Sequence, residues 1–360
     1  MESRHPPNTF VSVKGRASAQ NPAGRFSQTA RESVEDGWGF EEAPLARTQV
    51  SLEKARKIIT RNGSPDLSFD RSINPYRGCE HGCIYCFARP SHAFLDLSPG
   101  LDFETKLTMK PDAPALLAKE LSAPRYAPAP IAIGTNTDPY QPLELKEMIM
   151  RRCLEVLRDF NHPVMITTKG AIIERDLDIL APMAAKGLLS VGVSITTLDA
   201  KLARDMEPRV PGPTRRLKTI ERLSAAGIPV RICASPMIPG LTDHELEGIL
   251  SEGASAGARA ASWVMLRLPF EVAALFRDWL ERTQPGKAAK VMARVREAHG
   301  GKDYDPAWHK RMRGEGLYAQ MIAQRFKVAC RRTGLELRMP PLRTDLFCVP
   351  ELPGDQLSLF

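Results

Sequence analysis

The 360-residue chain has no run of 18 apolar residues, and its N-terminus lacks the apolar segment that a secretory signal needs. The first absence argues against a membrane-crossing helix, and the second predicts residence in the cytoplasm. Acid is scarce at the start: within residues 1–31 Glu2 stands alone beside Arg4, Lys14, Arg16, Arg25 and Arg31. Such a bias is faintly that of a transit peptide, but Pro6, Pro7 and Pro22 interrupt the amphipathic helix that a transit peptide uses. An even set of cysteines is missing too. There are seven, and Cys153, Cys233, Cys330 and Cys348 lie scattered, which excludes a disulfide framework and reads as small buried hydrophobes. The other three crowd into RGCEHGCIYCF, residues 77–87, with no fourth cysteine nearby.

What is present is a core and a surplus of positive charge. Apolar residues make up 43%, enough for a large α/β domain, and a net charge of +8 permits a polyanionic partner such as nucleic acid. Residues 1–65 are polar and broken by Pro and Gly, and read as a mostly disordered extension with one short helix around residues 51–59. From residue 66 short apolar runs alternate with helical patterns. A first strand near residues 72–75, then PAPIAIG, PVMITT, LLSVGVSIT, PVRICASPMI and ASWVMLRL read as strands; the segments between them, such as LELKEMIMRRCLEVLRDF and PTRRLKTIERLSAA, have helical spacing. About six βα repeats with near-continuous apolar strands predict an α/β fold, a partial (β/α)6 TIM-type barrel over residues 66–270. A helical extension over 271–350 and a flexible tail over 351–360 follow. Basic residues at Lys310, Arg311, Arg313, Arg325, Lys327, Arg331 and Arg332 read first as solvated helix faces and second as a phosphate-facing surface.

In such a barrel the ligand-binding groups sit on the loops after the strands. The cysteine loop follows the first strand, TNTDPY the second, TKG the third, SIT the fourth and SPMIPG the fifth, so all five share one rim. Three thiolates can serve two kinds of site. A structural zinc needs a fourth ligand and must recruit His81, His92 or a distant group. A cubane iron-sulfur cluster held by three cysteines leaves one iron open as a docking place, and Gly78 and Gly82 let the C-x3-C-x2-C loop curl around it.

The cysteine loop with Tyr85, directly after the first strand of a (βα)6 pattern, resembles the radical S-adenosylmethionine (SAM) superfamily. Within it, SINPYRGCEHGCIYCFARP together with TNTDPYQPLE is similar to the spore-photoproduct-lyase-like group, often labelled DNA repair photolyase-like. The resemblance covers roughly residues 60–270. It implies a [4Fe-4S] cluster on Cys79, Cys83 and Cys86, SAM as cofactor, and an electron donor such as flavodoxin or ferredoxin. It further implies that Lys169 pairs with the cofactor carboxylate, that Ser194 and Thr196 face the ribose, and that Glu207 and Arg216 support cofactor binding. The usual Gly-Gly-Glu after the second strand is absent, leaving Asn136 and Asp138 among the polar substitutes. The cysteine that spore photoproduct lyase uses as hydrogen donor, just before the Asp-Pro of this loop, is also missing, so the resemblance does not extend to thymine-dimer reversal by that route. Cys233 and Tyr140 read as buried structural groups, and no donor is assigned.

The last five residues, QLSLF, resemble the pentapeptide by which bacterial repair proteins dock on the DNA sliding clamp, with Gln356 as the orienting amide and Leu357, Leu359 and Phe360 as anchors; the rival is a tail packed on its own domain. Three readings therefore stand: a radical SAM enzyme acting on nucleic acid, the same chemistry on tRNA, a peptide or a small metabolite, and a zinc-stabilised DNA-binding adaptor docked to the clamp.

Overall fold

The structure, a computed structural model, describes residues 14–27 and 47–351. Six parallel strands form its spine: β1 (Arg71–Ile73), β2 (Ile131–Ile133), β3 (Val164–Thr168), β4 (Leu189–Ser194), β5 (Val230–Met237) and β6 (Ala260–Met265). They lie side by side in chain order, and Ile59–Arg61 adds an antiparallel strand outside β1. The sheet does not close, so the barrel is partial. The free edge of β6 is covered where Ala261 N–H donates to Glu336 O and Glu336 N–H donates to Arg259 O, both at 2.9 Å, which removes a row of unpaired backbone groups.

Between the strands run α1 (Ala113–Leu121), α2 (Ile149–Asp159), α3 (Leu177–Ala185), α4 (Pro213–Ala225) and α5 (Leu246–Ser255). Each buries one stripe: Leu117 and Leu121, Leu154 and Leu157, Ile179 and Met183, Ile220 and Leu223, Ile249 and Leu250. Side chains alternate across a strand, so Ile166, Val191, Val193 and Ile232 join this core. Thr167, Gly192 and Cys233 turn to the concave side, where a Cβ on Gly192 would lie 3.1 Å from Cys233 Sγ. The strands expected from the sequence all form, and the fold is the partial TIM-like barrel that their order implies.

Two expectations are corrected. The helix around residues 51–59 is replaced by two strands, Gln49–Leu52 and Ile59–Arg61, because Lys106–Met109 and β1 offer each a hydrogen-bonding edge. Of the lead expected to be mostly disordered, residues 1–13 and 28–46 lie outside the described residues, while residues 16–18 are buried against the cysteine loop. The helix read continuously from residue 143 breaks at Met148 (φ 50), since the buried Glu144 carboxylate accepts from Met150 N–H (3.0 Å) and Arg151 N–H (3.3 Å) and starts α2 afresh.

After β6 the chain is helical: α6 (Glu271–Thr283), α7 (Pro285–Ala298) and α8 (Gly316–Thr333). Four of the basic residues there already have partners within the chain. Arg325 forks onto Glu247, Arg311 binds Asp66 at 2.6 Å, Lys310 reaches Glu315 at 2.7 Å, and Arg313 donates to Trp263 O at 2.9 Å. No helix of the described residues is long and apolar enough to cross a membrane. Gln356, Leu357, Leu359 and Phe360 lie outside the described residues.

His162, at the start of β3, is fully buried, with ring nitrogens 2.7 Å from Tyr126 Oη and 2.9 Å from Pro163 O. Burial pushes its imidazole down to about 4, against the Pro163 carbonyl, and Arg71 adds to the depression. Burial also lowers His92 and His299. An unfolded chain takes up these protons near the ordinary value of 6.5, whereas the folded chain protonates His162 only near 4. Its contribution is therefore complete above about 6.5 and is lost as pH falls toward 4, a span worth about 3 kcal/mol. The thermal midpoint should fall between about pH 7 and pH 5, and His162→Gln should flatten that fall. An equal slope in wild type and variant would refute the assignment.

Candidate active site

The cysteine loop leaves β1 and is curled by two left-handed glycines. Gly78 has φ +73 and Gly82 φ +66; a Cβ on Gly82 would sit 2.6 Å from Glu104 Oε2, so any side chain there is both strained and crowded. Short backbone bonds wind the loop: Gly82 N–H to Cys79 O and Cys86 N–H to Cys83 O, each 3.2 Å, while Cys79 N–H reaches Phe103 O at 3.0 Å. The buried Arg89 fixes the outer side. Its Nε donates to Cys83 O (2.9 Å), Nη2 to Gly82 O (2.9 Å) and Glu104 Oε1 (2.6 Å), and Nη1 to Pro99 O (3.1 Å) and Gly100 O (2.9 Å). Glu104 in turn accepts from Ala17 N–H (3.2 Å) and Ser18 N–H (3.1 Å), so the N-terminal segment straps the loop from outside. From β2's side, Gln141 accepts from Glu80 N–H at 2.9 Å.

Cys79, Cys83 and Cys86 are all free, the first two buried and the third partly so. Burial pushes the Cys79 thiol well up, with Asp138 and Cys83 adding to it, and raises Cys83 to about 12, with Lys169 pulling the other way. Thiols this reluctant to ionise alone form a donor set suited to a cationic partner, since metal binding deprotonates a thiol outright. Among the described residues no three His, Cys, Asp or Glu side chains close on a single ion. His81, the fourth ligand that a zinc reading needs, is buried with Nδ1 3.3 Å from Asp138 Oδ2.

A second network stands at the ends of β3 and β4. Glu207 and Arg216, each about 1% exposed, form a 2.7 Å ion pair; Arg216 Nη1 also donates to Ser194 O (2.8 Å). Glu207 Oε1 accepts from Thr196 Oγ1 (2.9 Å) and from Tyr85 Oη, and Tyr85 Oη lies 3.0 Å from Thr196 Oγ1. Burial lifts the Glu207 carboxyl, but Arg216, Lys169 and these hydroxyls outweigh it and hold it below its ordinary value. Lys169 Nζ sits 5.7 Å above the Tyr85 ring; burial works against its charge, yet Cys83 and Glu207 leave its pKa raised. Lys169, Ser194, Thr196, Glu207 and Arg216, which come from separate stretches of sequence, are thereby gathered beside Cys83 and Tyr85.

The second-strand loop is placed differently. Asp138 Oδ1 accepts from Thr168 Oγ1 (2.6 Å) and Tyr140 N–H (2.9 Å), and Oδ2 accepts from Lys169 N–H (2.8 Å) and faces His81. Burial would raise this carboxyl, but His81 and the hydrogen bonds hold it near 2. Asp138 thus positions the Lys169 backbone and the cysteine loop together. Asn136 is partly exposed on the same loop, its N–H taken by Asn74 Oδ1 at 3.2 Å. Cys233 and Tyr140 are buried, as read. Sequence reasoning missed Arg89, Glu104 and Gln141; Arg89 and Gln141 stand inside the two quoted motifs, but nothing in spacing announces a buried guanidinium, and Glu104 carries no local signal.

These features define a partial (βα)6-barrel enzyme whose first βα loop brings three free cysteines to the catalytic rim. The chain belongs to the Radical SAM superfamily, whose family model matches residues 73–252. An uncharacterized protein of Mycobacterium tuberculosis is 37% identical over 260 residues, 72% of this chain and 75% of the relative. One of Methanocaldococcus jannaschii is 27% identical over 200 residues, 56% and 72% of the two chains. Among solved structures, spore photoproduct lyase complexed with dinucleoside spore photoproduct superposes with a TM-score of 0.59 at 13% identity, covering 84% of this chain and 87% of that one. A variant of that lyase with bound AdoMet and dinucleoside spore photoproduct gives 0.55 at 14% identity, covering 85% and 87%. The shared fold is the finding. Membership implies a [4Fe-4S] cluster and SAM, and three free thiols, two buried and one partly exposed, beside a charged Lys169 fit that pair.

Arg89→Ala should remove five hydrogen bonds, two of them to the loop carbonyls of Gly82 and Cys83, and leave Glu104 buried without its guanidinium partner, a loss of about 3–5 kcal/mol. Urea denaturation measures the loss, and amide hydrogen exchange at residues 79–86 should quicken. Unchanged stability and exchange would show that the loop does not depend on Arg89.

Proposed function

We propose that the chain is a radical SAM enzyme in which Cys79, Cys83 and Cys86 hold the [4Fe-4S] cluster one protein ligand short. Lys169, Ser194, Thr196, Asn136, Asp138, Glu207 and Arg216 form the SAM site, within a catalytic unit spanning about residues 66–270. A cluster and SAM bound there would supply one-electron chemistry, reductive cleavage of the sulfonium and thereby hydrogen-atom abstraction from a substrate. The chain's own residues place and shield these groups. Lys169 keeps its charge and so suits the cofactor carboxylate. The Glu207–Arg216 pair fixes Thr196 and Tyr85 by hydrogen bonds to Glu207, while Asp138 holds the Lys169 backbone against the cysteine loop. The observation that carries the reading is the juxtaposition of three free thiols in one loop with the Lys169–Glu207–Arg216 cluster at the rim of a parallel sheet.

Nucleic acid is the substrate class we infer, in a repair context. A net charge of +8 and a fold shared with a lyase that binds a dinucleoside lesion support it. Anaerobically reconstituted wild type should be brown and, with a reductant such as flavodoxin or dithionite, should form 5'-deoxyadenosine. Cys83→Ala should lose both the colour and the product while keeping its far-ultraviolet circular dichroism, and Lys169→Met should weaken SAM binding about tenfold or more. Product formation by a colourless Cys83→Ala protein would overturn the proposal.

A further inference from the structure

Immediately beyond Cys86, at the same rim, lies an open groove of about 660 Å³ lined by Phe87, Arg267, Phe270, Lys302, Tyr304 and Arg311, among others. Two of its rings are bare, Phe87 at 44% exposed and Phe270 at 69%, and outside the lining Trp308, 51% exposed, stacks on the Arg311 guanidinium at 4.2 Å. Each ring comes with a cation. Arg267 lies 4.6 Å over Phe87, and Arg25 lies 4.0 Å over Phe270. The charges differ in how far they are already used. Arg25 is paired with Glu271, Arg311 with Asp66, and the groove's own acid, Asp303, is held by Arg296 (2.7 Å) and Arg277 (3.5 Å). Arg267 and Lys302 have no carboxylate within 4.0 Å among the described residues, and the buried Arg267 Nε has no hydrogen-bond partner at all. Phe270 is held at φ 51, ψ −123, backbone space that favours glycine, on the residue before α6. An apolar ring kept in a strained and solvent-exposed position marks a place where the ring itself is needed.

We infer that this groove docks an unpaired nucleic-acid strand, with bases stacked on Phe87 and Phe270 and phosphates facing Arg267 and Lys302. Exposed aromatic faces alternating with unmatched cations are what a single strand recognises, since every base offers a face and every linkage a charge. A duplex hides its base faces in the stack, so it cannot use these rings. Phe87 follows Cys86 directly, so an occupant of the groove lies beside the cysteine loop. The inference names the strand form and docking surface for the substrate class proposed above and rests on that reading.

The test uses the reconstituted full-length protein and a fluorescein-labelled single-stranded DNA 12-mer of mixed sequence, read by anisotropy and by quenching of tryptophan fluorescence. Wild type should bind the strand more tightly than the matching duplex. Phe270→Ala should weaken binding about tenfold. Arg267→Gln should reduce the slope of log affinity against log salt by about 0.7. Phe270→Gly separates function from folding: it removes the ring and relieves the backbone, so its thermal midpoint should hold or rise while affinity drops. Equal affinity in all these proteins, equal binding of duplex, or equal binding of a polyglutamate peptide would overturn the inference. The colour of the same wild-type sample reports the cluster independently. A colourless protein that still binds through Phe270 fails the enzyme reading alone, and a brown protein that ignores the strand fails the groove alone.

Discussion

Three thiols are packed into eight residues, and burial makes the Cys79 and Cys83 thiols resist ionising, with neighbouring negative charge adding to the effect. The loop is nevertheless held in that crowded form, and the group that holds it is the Arg89 guanidinium. Its five donors meet four backbone carbonyls and one carboxylate with no access to water, so the geometry is fixed by a rigid, planar fork. Glu104 links that arginine to the N-terminal segment, and the same carboxylate fills the space that a Gly82 side chain would need. Loop shape, strap and glycine are thus one constraint seen from three sides.

The remaining charges at the rim are arranged around this loop. Lys169 and Arg216 carry two positive charges into a buried region, and Glu207 together with Asp138 answers them. Because the region is poorly solvated, burial works against the charges of Lys169, Glu207 and Asp138, and their neighbours outweigh it. Tyr85, a residue of the cysteine loop itself, closes the circuit through Glu207 and Thr196, which couples the loop to the ends of β4 and β5. The site is therefore assembled from four strand ends, and no single segment contains its balance.

Outward from the rim, the helical extension supplies α6 and the segment that carries Tyr304, Trp308 and Arg311. The basic residues in and around that extension divide by partner rather than by sequence position. Arg325, Arg311, Arg313 and Lys310 already have partners within the chain, whereas Arg267 and Lys302 have no carboxylate partner and stand beside exposed rings.

The alternation of brief apolar runs with helical patterns determined the six strands in order, and the spacing of Cys79, Cys83 and Cys86 identified the loop that matters, because period and spacing are local properties that the chain writes directly. Lys169, Ser194, Thr196 and Asp138 were legible as strand-end residues for the same reason. Other features depended on partners far along the chain. The strands at Gln49–Leu52 and Ile59–Arg61 exist because distant edges pair with them, the break at Met148 because Glu144 is buried where it can cap α2, and the role of Asp138 because His81 and Lys169 arrive on either side. Arg89, Glu104 and the unmatched Arg267 showed their functions only when folding decided which charges were buried and which found a counterpart. Sequence determines which groups are present and on which element; only tertiary structure decides desolvation and pairing, since both arise from residues that meet across tens to hundreds of positions.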